Sequence, residues 1–248
     1  MPVLSAIGLV KSFGGVRAVN DVSFSVAEGE MLALIGPNGA GKSTCFNMLG
    51  GQVRPDRGRV VLLGREVAGL APAAISRVGV GRTFQVTETF GSMTLRENVQ
   101  MSLIVRARQV WRFWRPASTF GAVEANRVLG QVGLREQAER AAGVLAYGDL
   151  KRLELAVALA SRPRLLLMDE PTAGMAPNEQ IALMRLVREL AAHQGVAVLF
   201  TEHDMDVVFG VADRVLVLNR GGLIAGGEPA AIRADPRVRE VYLGSGAV

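Results

Sequence analysis

The chain has 248 residues, a formal net charge of +5 and 49% hydrophobic residues, which fits one large domain or one domain with a subdomain. Its positive charges are scattered without a long basic tract, which argues against nucleic-acid binding. No apolar run approaches the ~18 residues of a membrane span, and the opening residues lack the pattern of a secretion signal. A single cysteine, Cys45, fits a reducing compartment, so we expect a cytoplasmic protein.

Strand-like and helical segments alternate along the chain. Strands are predicted in SAIGLVKSF, VNDVSFSV, MLALI and RVVLLG. From Gln85 onward the pattern turns helical in MTLRENVQMSLIVRAR, AVEANRVLGQVGL and the stretch from Leu150 to Ser161. Strands return as LLLMDE, VAVLFTE and RVLVLN, with a helix from about Asn178 between the first two. A turn, NRGG, a shorter strand and a helical tail follow.

This order predicts an α/β fold with a mostly parallel sheet covered on both faces. The helical segment is predicted to be a subdomain, 86–162, inserted into a sheet core made of 1–85 and 163–248, within a single domain of 1–248. Between its first two helices, the loop around Trp111–Pro116, WRFWRP, fits either a variable surface loop or a membrane contact.

A phosphate-binding loop is predicted in GPNGAGKST, which matches G-x-x-x-x-G-K-[ST] between a buried strand and a helix. Its glycines let successive N–H groups face inward and form a nest for anionic oxygens. Lys42 would bring a positive charge to the β- and γ-phosphates, and Ser43 would offer a hydroxyl to Mg²⁺. The predicted ATP-binding residues are Gly36, Pro37, Asn38, Gly39, Ala40, Gly41, Lys42, Ser43 and Thr44.

Polar side chains are predicted at the same sheet edge, because they end neighbouring strands. Asp169 and Glu170 end an all-apolar strand, where two carboxylates without a task would be costly to desolvate. Beside a phosphate loop, Asp169 can hold Mg²⁺ and Glu170 can take a proton from an attacking water; the alternative is an acid pair in solvent. His203 ends the next strand and is placed as a catalytic residue. Gln85 ends another, and the residues alone leave open whether it reaches the metal or the water.

Together, these elements resemble the ATP-binding subunits of ABC transporters over nearly the whole chain. GPNGAGKST resembles Walker A, Gln85 the Q-loop glutamine, LLLMDE Walker B, PTAGM the D-loop, and His203 the switch histidine. Phe13 matches the aromatic residue that stacks on adenine. The resemblance implies a RecA-like P-loop NTPase core with an N-terminal antiparallel β segment, and ATP hydrolysis with Mg²⁺ held by Ser43, Gln85 and Asp169.

The stretch LAYGDLKRLELA occupies the place of the family's signature helix, usually LSGGQ. In the family, the N-terminus of that helix binds the γ-phosphate held by the other subunit of a head-to-tail dimer. Here Ala146 replaces a serine, Tyr147 a glycine and Asp149 a glutamine, whereas Gly148 is retained. Because Asp149 would repel phosphate if it pointed inward, we expect it to turn away, cap free N–H groups and favour the helix dipole. The altered signature favours a heterodimer with a second ATPase subunit, and a homodimer stays open.

Finer resemblance points to the ATPases of branched-chain (hydrophobic) amino acid importers, through YG, GRTFQ, TAGMAP and IRADPRVREVYLG. Such a protein would lie on the inner face of the membrane beneath two permease subunits, fed indirectly by a periplasmic solute-binding protein. Urea importers and lipopolysaccharide exporters share parts of the pattern.

A soluble ABC ATPase acting on nucleic acid would carry two ATPase units or a long coiled coil, which this sequence lacks. A module without turnover would not need Glu170 and His203.

Overall fold

A computed structural model describes residues 2–83, 89–107 and 120–243. Within these residues it contains ten strands and nine α-helices. The strands are β1 (Leu4–Phe13), β2 (Val16–Val26), β3 (Met31–Ile35), β4 (Arg57–Leu62), β5 (Arg65–Glu66), β6 (Val80–Thr83), β7 (Leu165–Asp169), β8 (Ala197–Thr201), β9 (Arg214–Asn219) and β10 (Gly222–Gly227). The helices are α1 (Lys42–Leu49), α2 (Pro72–Val78), α3 (Leu95–Arg106), α4 (Ala122–Gln131), α5 (Tyr147–Ala160), α6 (Pro177–Gln194), α7 (Met205–Val211), α8 (Pro229–Ala234) and α9 (Pro236–Leu243).

The strands form two sheets. The larger sheet has the order β10-β9-β3-β8-β7-β6, in which all neighbours are parallel except the β10–β9 edge pair. The smaller sheet, β2-β1-β4-β5, is antiparallel throughout. The predicted α/β class is therefore confirmed, with a mostly parallel sheet and an N-terminal antiparallel segment. The carboxyl ends of β3, β7 and β8 meet at one edge of the larger sheet, which brings the predicted catalytic segments together.

The larger sheet is buried on both faces. Every residue of β3 and β8 is buried, as the continuous apolar runs of their sequences indicate. Along β3 the side chains alternate between two cores, as the period of two requires. Met31, Ala33 and Ile35 pack in one cluster with α3 to α7, whereas Leu32 and Leu34 pack in the other with α1 and the smaller sheet.

Helices α3, α4 and α5 lie between β6 and β7 in the chain, in the segment assigned above to an inserted subdomain. They share the first of these clusters with the larger sheet. The domain boundaries stay a prediction. The WRFWRP loop lies outside the described residues. Among the residues that are described, the structure has no helix long and apolar enough to cross a membrane.

Candidate functional site

The loop between β3 and α1 is shaped by its glycines. A Cβ on Gly36 (φ 155°) would lie 2.2 Å from the carbonyl oxygen of Leu218, and one on Gly41 (φ 106°) 2.3 Å from that of Ala18. Side chains at these two positions would collide with backbone. Gly39 (φ 77°) has open space where its Cβ would be, and Asn38, Gly39 and Ser43 are exposed. The loop is thus held tightly against β2 and β9 at two points and open to a ligand between them.

Lys42 is the first residue of α1 and is only 8% exposed. Its Nζ donates hydrogen bonds to the carbonyl oxygens of Gly36 at 2.5 Å and Pro37 at 3.1 Å. Burial lowers the pKa of Lys42, and the negative charges of Glu170 and Asp169 partly offset this. The ammonium group therefore lies between the loop and the strand-end carboxylates, poised for an anionic ligand.

The strand-end carboxylates are held by the neighbouring strands. Asp169 is the last residue of β7, and its Oδ1 accepts a hydrogen bond from the hydroxyl of Thr201, the last residue of β8, at 2.7 Å. The same hydroxyl accepts the backbone N–H of Glu170 at 3.0 Å. Arg82 of β6 lies 3.9 Å from Asp169 on the other side. Three parallel strands thus position the acid pair.

Glu170 and His203 form a direct pair. The Nε2 of His203 lies 2.8 Å from Oε1 of Glu170, and the imidazole is half exposed. Glu170 has φ 48°, a left-handed conformation that costs about 1–3 kcal/mol for a residue other than glycine. Backbone strain at a residue whose carboxylate is paired with His203 is typical of a functional residue. An exposed imidazole beside it can orient the carboxylate toward a bound water.

Phe13 ends β1 and is 50% exposed, with the Lys11 ammonium 5.5 Å from its ring centroid. Lys11 is itself held by Asp56 at 2.7 Å. A large aromatic side chain that leaves half its surface in solvent is suited to stacking against a flat ligand.

The signature segment begins α5 earlier than the sequence indicates, at Tyr147 instead of Leu150. Its N-cap is Ala146, so Asp149 is not the N-cap residue. Instead Asp149 lies in the first turn, where its charge favours the helix dipole, and its carboxylate accepts a hydrogen bond from Gln137 Nε2 at 3.2 Å. The prediction that Asp149 caps the helix is wrong, because Ala146 is the N-cap residue, whereas the predicted effect on the helix dipole fits the position of Asp149 in the first turn.

Two further signature residues contact the segment after β7. The Tyr147 hydroxyl donates to the carbonyl of Ala173 at 3.0 Å. A Cβ on Gly148 would lie 3.2 Å from the carboxylate of Glu179 in α6. The start of α5 is therefore fixed against the D-loop and the first turn of α6, and Gly148 allows that close approach.

Several polar residues near the site were missed by the sequence reading. Thr172 and Glu202 are buried and hydrogen-bonded to each other, and Lys151 and Glu154 form a buried ion pair in α5 at 3.2 Å. Glu202 precedes His203 at the end of an apolar strand. A carboxylate at such a position is costly to desolvate without a partner, which is the signal in the sequence that could have identified it. Gln85 lies outside the described residues, and its role stays a prediction.

The family model for ABC transporters matches residues 19–173, more than half of the chain. The chain belongs to the ABC transporter ATPase family. A model for branched-chain amino acid ATP-binding cassette transporters also matches residues 223–248 of this ATPase. The predicted family and the predicted class of enzyme are thereby confirmed.

Relatives of this ATPase cover nearly its whole length. The high-affinity branched-chain amino acid transport ATP-binding protein LivG of Salmonella typhimurium is 41% identical over 98% of both chains. BraF of Pseudomonas aeruginosa, with the same description, is 42% identical over 98% of both. Among solved structures, the ADP conformation of MJ1267, an ATP-binding cassette of an ABC transporter, is 34% identical with a TM-score of 0.89, covering 98% of this chain and 99% of its own.

Proposed function

We propose that this ATPase binds and hydrolyses ATP to energise the import of branched-chain amino acids. The observation that carries the proposal is the pairing of Glu170 with His203 at one edge of the larger sheet. At the same edge, the negative charges of Glu170 and Asp169 stabilise the buried ammonium of Lys42. The substrate class rests on LivG and BraF, whose descriptions name branched-chain amino acid transport. A lipopolysaccharide export ATPase, LptB of Acidithiobacillus ferridurans, is also related, at 37% identity.

In this proposal ATP lies along the phosphate loop with its adenine against Phe13. The open backbone at Gly39 and the start of α1 receive the phosphate oxygens, and Lys42 neutralises charge on them. Glu170 accepts the proton of the attacking water, and His203 holds its carboxylate in place. In this proposal Lys42 therefore binds the phosphates, and Glu170 takes part in the chemical step.

Mg²⁺ fits the oxygen donors at this edge. Ser43 is an exposed residue with a hydroxyl, Asp169 has a carboxylate held by Thr201, and Gln85 is the further predicted ligand. No cluster of three His, Cys, Asp or Glu side chains able to hold a metal occurs in the described part of the chain. The nucleotide's own oxygens would therefore complete the coordination. When bound, the ion would neutralise charge on the phosphates.

The proposed assembly contains a second ATPase subunit, two permease subunits and, indirectly, a periplasmic solute-binding protein, on the inner face of the membrane. No nucleic acid takes part. A heterodimer is favoured because Ala146 cannot supply the hydroxyl with which the family signature contacts the partner's phosphate. The start of α5 retains Gly148, the two residues before it are exposed, and the N-cap residue Ala146 makes no side-chain bond to the first N–H groups. These features support a phosphate contact through N–H groups alone.

The permease contact is proposed at a cleft of about 360 Å³ lined by α2, β6 and α5. Its walls are mainly apolar, including Ile75, Val80 and Val157. At its side, Glu154 is buried with its Oε2 paired to Lys151, whereas its Oε1 has no hydrogen-bond partner within the described residues. A partner segment with apolar side chains and one donor group would complement these walls.

Filling this cleft is expected to uncouple the ATPase from transport. Ala73→Trp places an indole at the cleft wall, in the first turn of α2 right after its initial proline. We expect amino acid uptake to fall about tenfold or more, with the ATPase rate of the purified protein unchanged. Ala230→Trp is the matched control, because Ala230 is also exposed and follows the initial proline of α8. Equal uptake by the two variants would refute the docking site.

The transport proposal is tested in cells of the source organism that lack this gene. We expect uptake of radiolabelled leucine to fall on deletion, to return with the intact gene, and to stay low with Lys42→Ala. Undiminished leucine uptake in the deletion strain would overturn the substrate class. A loss of urea uptake or of surface lipopolysaccharide in its place would assign the protein to one of the related systems.

A further inference from the structure

Three consecutive residues at the end of β8 each bond to the segment that follows β7. Thr201 holds Asp169 and Glu170, as described above, and His203 meets Glu170. Between them, Glu202 is 5% exposed and takes no part in the proposed hydrolysis. A buried carboxylate requires several donors to offset its lost hydration, so its partners indicate what it does.

The carboxylate of Glu202 joins two parts of the site. Its Oε1 accepts the backbone N–H of Thr172 at 2.9 Å and the hydroxyl of Thr172 at 2.7 Å. Its Oε2 accepts the backbone N–H of His203 at 3.3 Å. Burial raises the pKa of Glu202, and these three bonds act against the rise.

These contacts close a ring. Glu202 is linked to His203, His203 to Glu170, and Glu170 to Thr172 along the chain, where the Ala173 N–H also donates to the Glu170 carbonyl at 3.2 Å. Thr172 then returns to Glu202. Glu170, one member of this ring, has a left-handed backbone, a conformation that persists only where its surroundings over-determine it.

We propose that Glu202 is a positioning residue, which holds His203 against Glu170 by anchoring the backbone of His203 to Thr172. This inference rests on the proposed hydrolysis of ATP by Glu170. Glu202 faces protein donors on both oxygens and is closed to solvent, so it acts through His203 and not on the water itself.

The experiment separates the two halves of the ring. E202Q keeps an oxygen for Thr172 but turns an amide N–H₂ toward the N–H of His203, so the bond to His203 is lost. T172V removes only the hydroxyl donor, whereas T172S keeps both donors. Single-turnover ATP hydrolysis, binding of a fluorescent ATP analogue and the unfolding midpoint are measured for each variant, and for E202Q in an H203A background.

We expect E202Q to lower the single-turnover rate about tenfold with unchanged ATP-analogue affinity, and T172V to lower it less, about threefold. T172S should retain most of the rate. In H203A, where no imidazole is left to position, E202Q should lower the rate less than about twofold.

Three outcomes would overturn the inference. One is an unchanged rate in E202Q. Another is an equal loss from E202Q with and without His203, which would make Glu202 act independently. The third is a loss of analogue binding together with a lowered unfolding midpoint in E202Q, which would make its role one of folding. Absence of hydrolysis in the unmodified protein would contradict the proposed function, and this inference with it; that failure appears before any variant is made.

Discussion

Lys42→Ala is expected to weaken ATP binding by about 100-fold, because the bound phosphates lose their buried cation and its charge-assisted hydrogen bonds. The ammonium of Lys42 is held by the carbonyls of Gly36 and Pro37 and senses the charges of Asp169 and Glu170. Without it, the repulsion between those two carboxylates and the anionic phosphates would be offset less. Titration with a fluorescent ATP analogue measures the loss.

The same substitution should leave the fold intact. Burial lowers the pKa of Lys42, which means that its charged form is penalised in the folded, ligand-free protein. Removing it relieves that cost but also takes a donor from the carbonyl oxygens of Gly36 and Pro37, so we expect an unfolding midpoint close to that of the parent. Affinity within about threefold of the parent would refute the assignment of Lys42 to the phosphates.

Lys151→Ala is the matched control, since Lys151 is the other buried lysine among the described residues. Its Nζ lies 3.2 Å from Glu154, and its loss leaves that buried carboxylate without its cation, which costs about 3–5 kcal/mol of stability. We expect Lys151→Ala to lower the unfolding midpoint while ATP-analogue binding persists. The two variants are thus expected to differ in opposite ways: Lys42→Ala loses ATP affinity, and Lys151→Ala loses stability.

The sequence predicts the elements whose pattern is local and strong. The predicted strand MLALI coincides with β3, whose five residues are all buried. A continuous apolar run followed by a glycine-rich loop and a helix is a pattern that can be recognised without knowing the rest of the fold. Helices α2 and α7 were missed, since seven residues give too little periodicity. The start of α5 was misplaced, because Tyr147 and Gly148 join the helix through contacts with Ala173 and Glu179, which are distant in sequence.

The predicted site residues are brought together wherever a strand end carries them. Asp169, Glu170 and His203 follow adjacent parallel strands, and order along the chain suffices to place them at one edge. Their supporting partners depend on register, which the sequence does not reveal: Asp169 pairs with Thr201 across β7 and β8. The Lys151–Glu154 pair has the spacing of a solvated helix face, and only the packing of α5 buries it.

Glu170→Gln is expected to lower ATP turnover by about 1000-fold while ATP binding is retained, because an amide cannot accept the proton of the attacking water. The side chain keeps its size, and its amide oxygen can still meet His203 Nε2, so the geometry at 2.8 Å is preserved. Losing a negative charge beside the phosphates should leave ATP affinity equal or higher. Turnover and analogue binding are measured on the same preparation.

This variant also reveals how two subunits assemble, because it holds ATP without consuming it. Size-exclusion chromatography with ATP is run on the variant alone and mixed with a candidate second ATPase subunit. A dimer of the variant alone would mean that Ala146 to Asp149 suffices as a signature on both sides. A dimer only in the mixture would support the heterodimer, in which the partner supplies the hydroxyl that Ala146 lacks. Turnover unchanged by Glu170→Gln would exclude Glu170 as the base, and the ring of Thr172, Glu202 and His203 around it would then need another purpose.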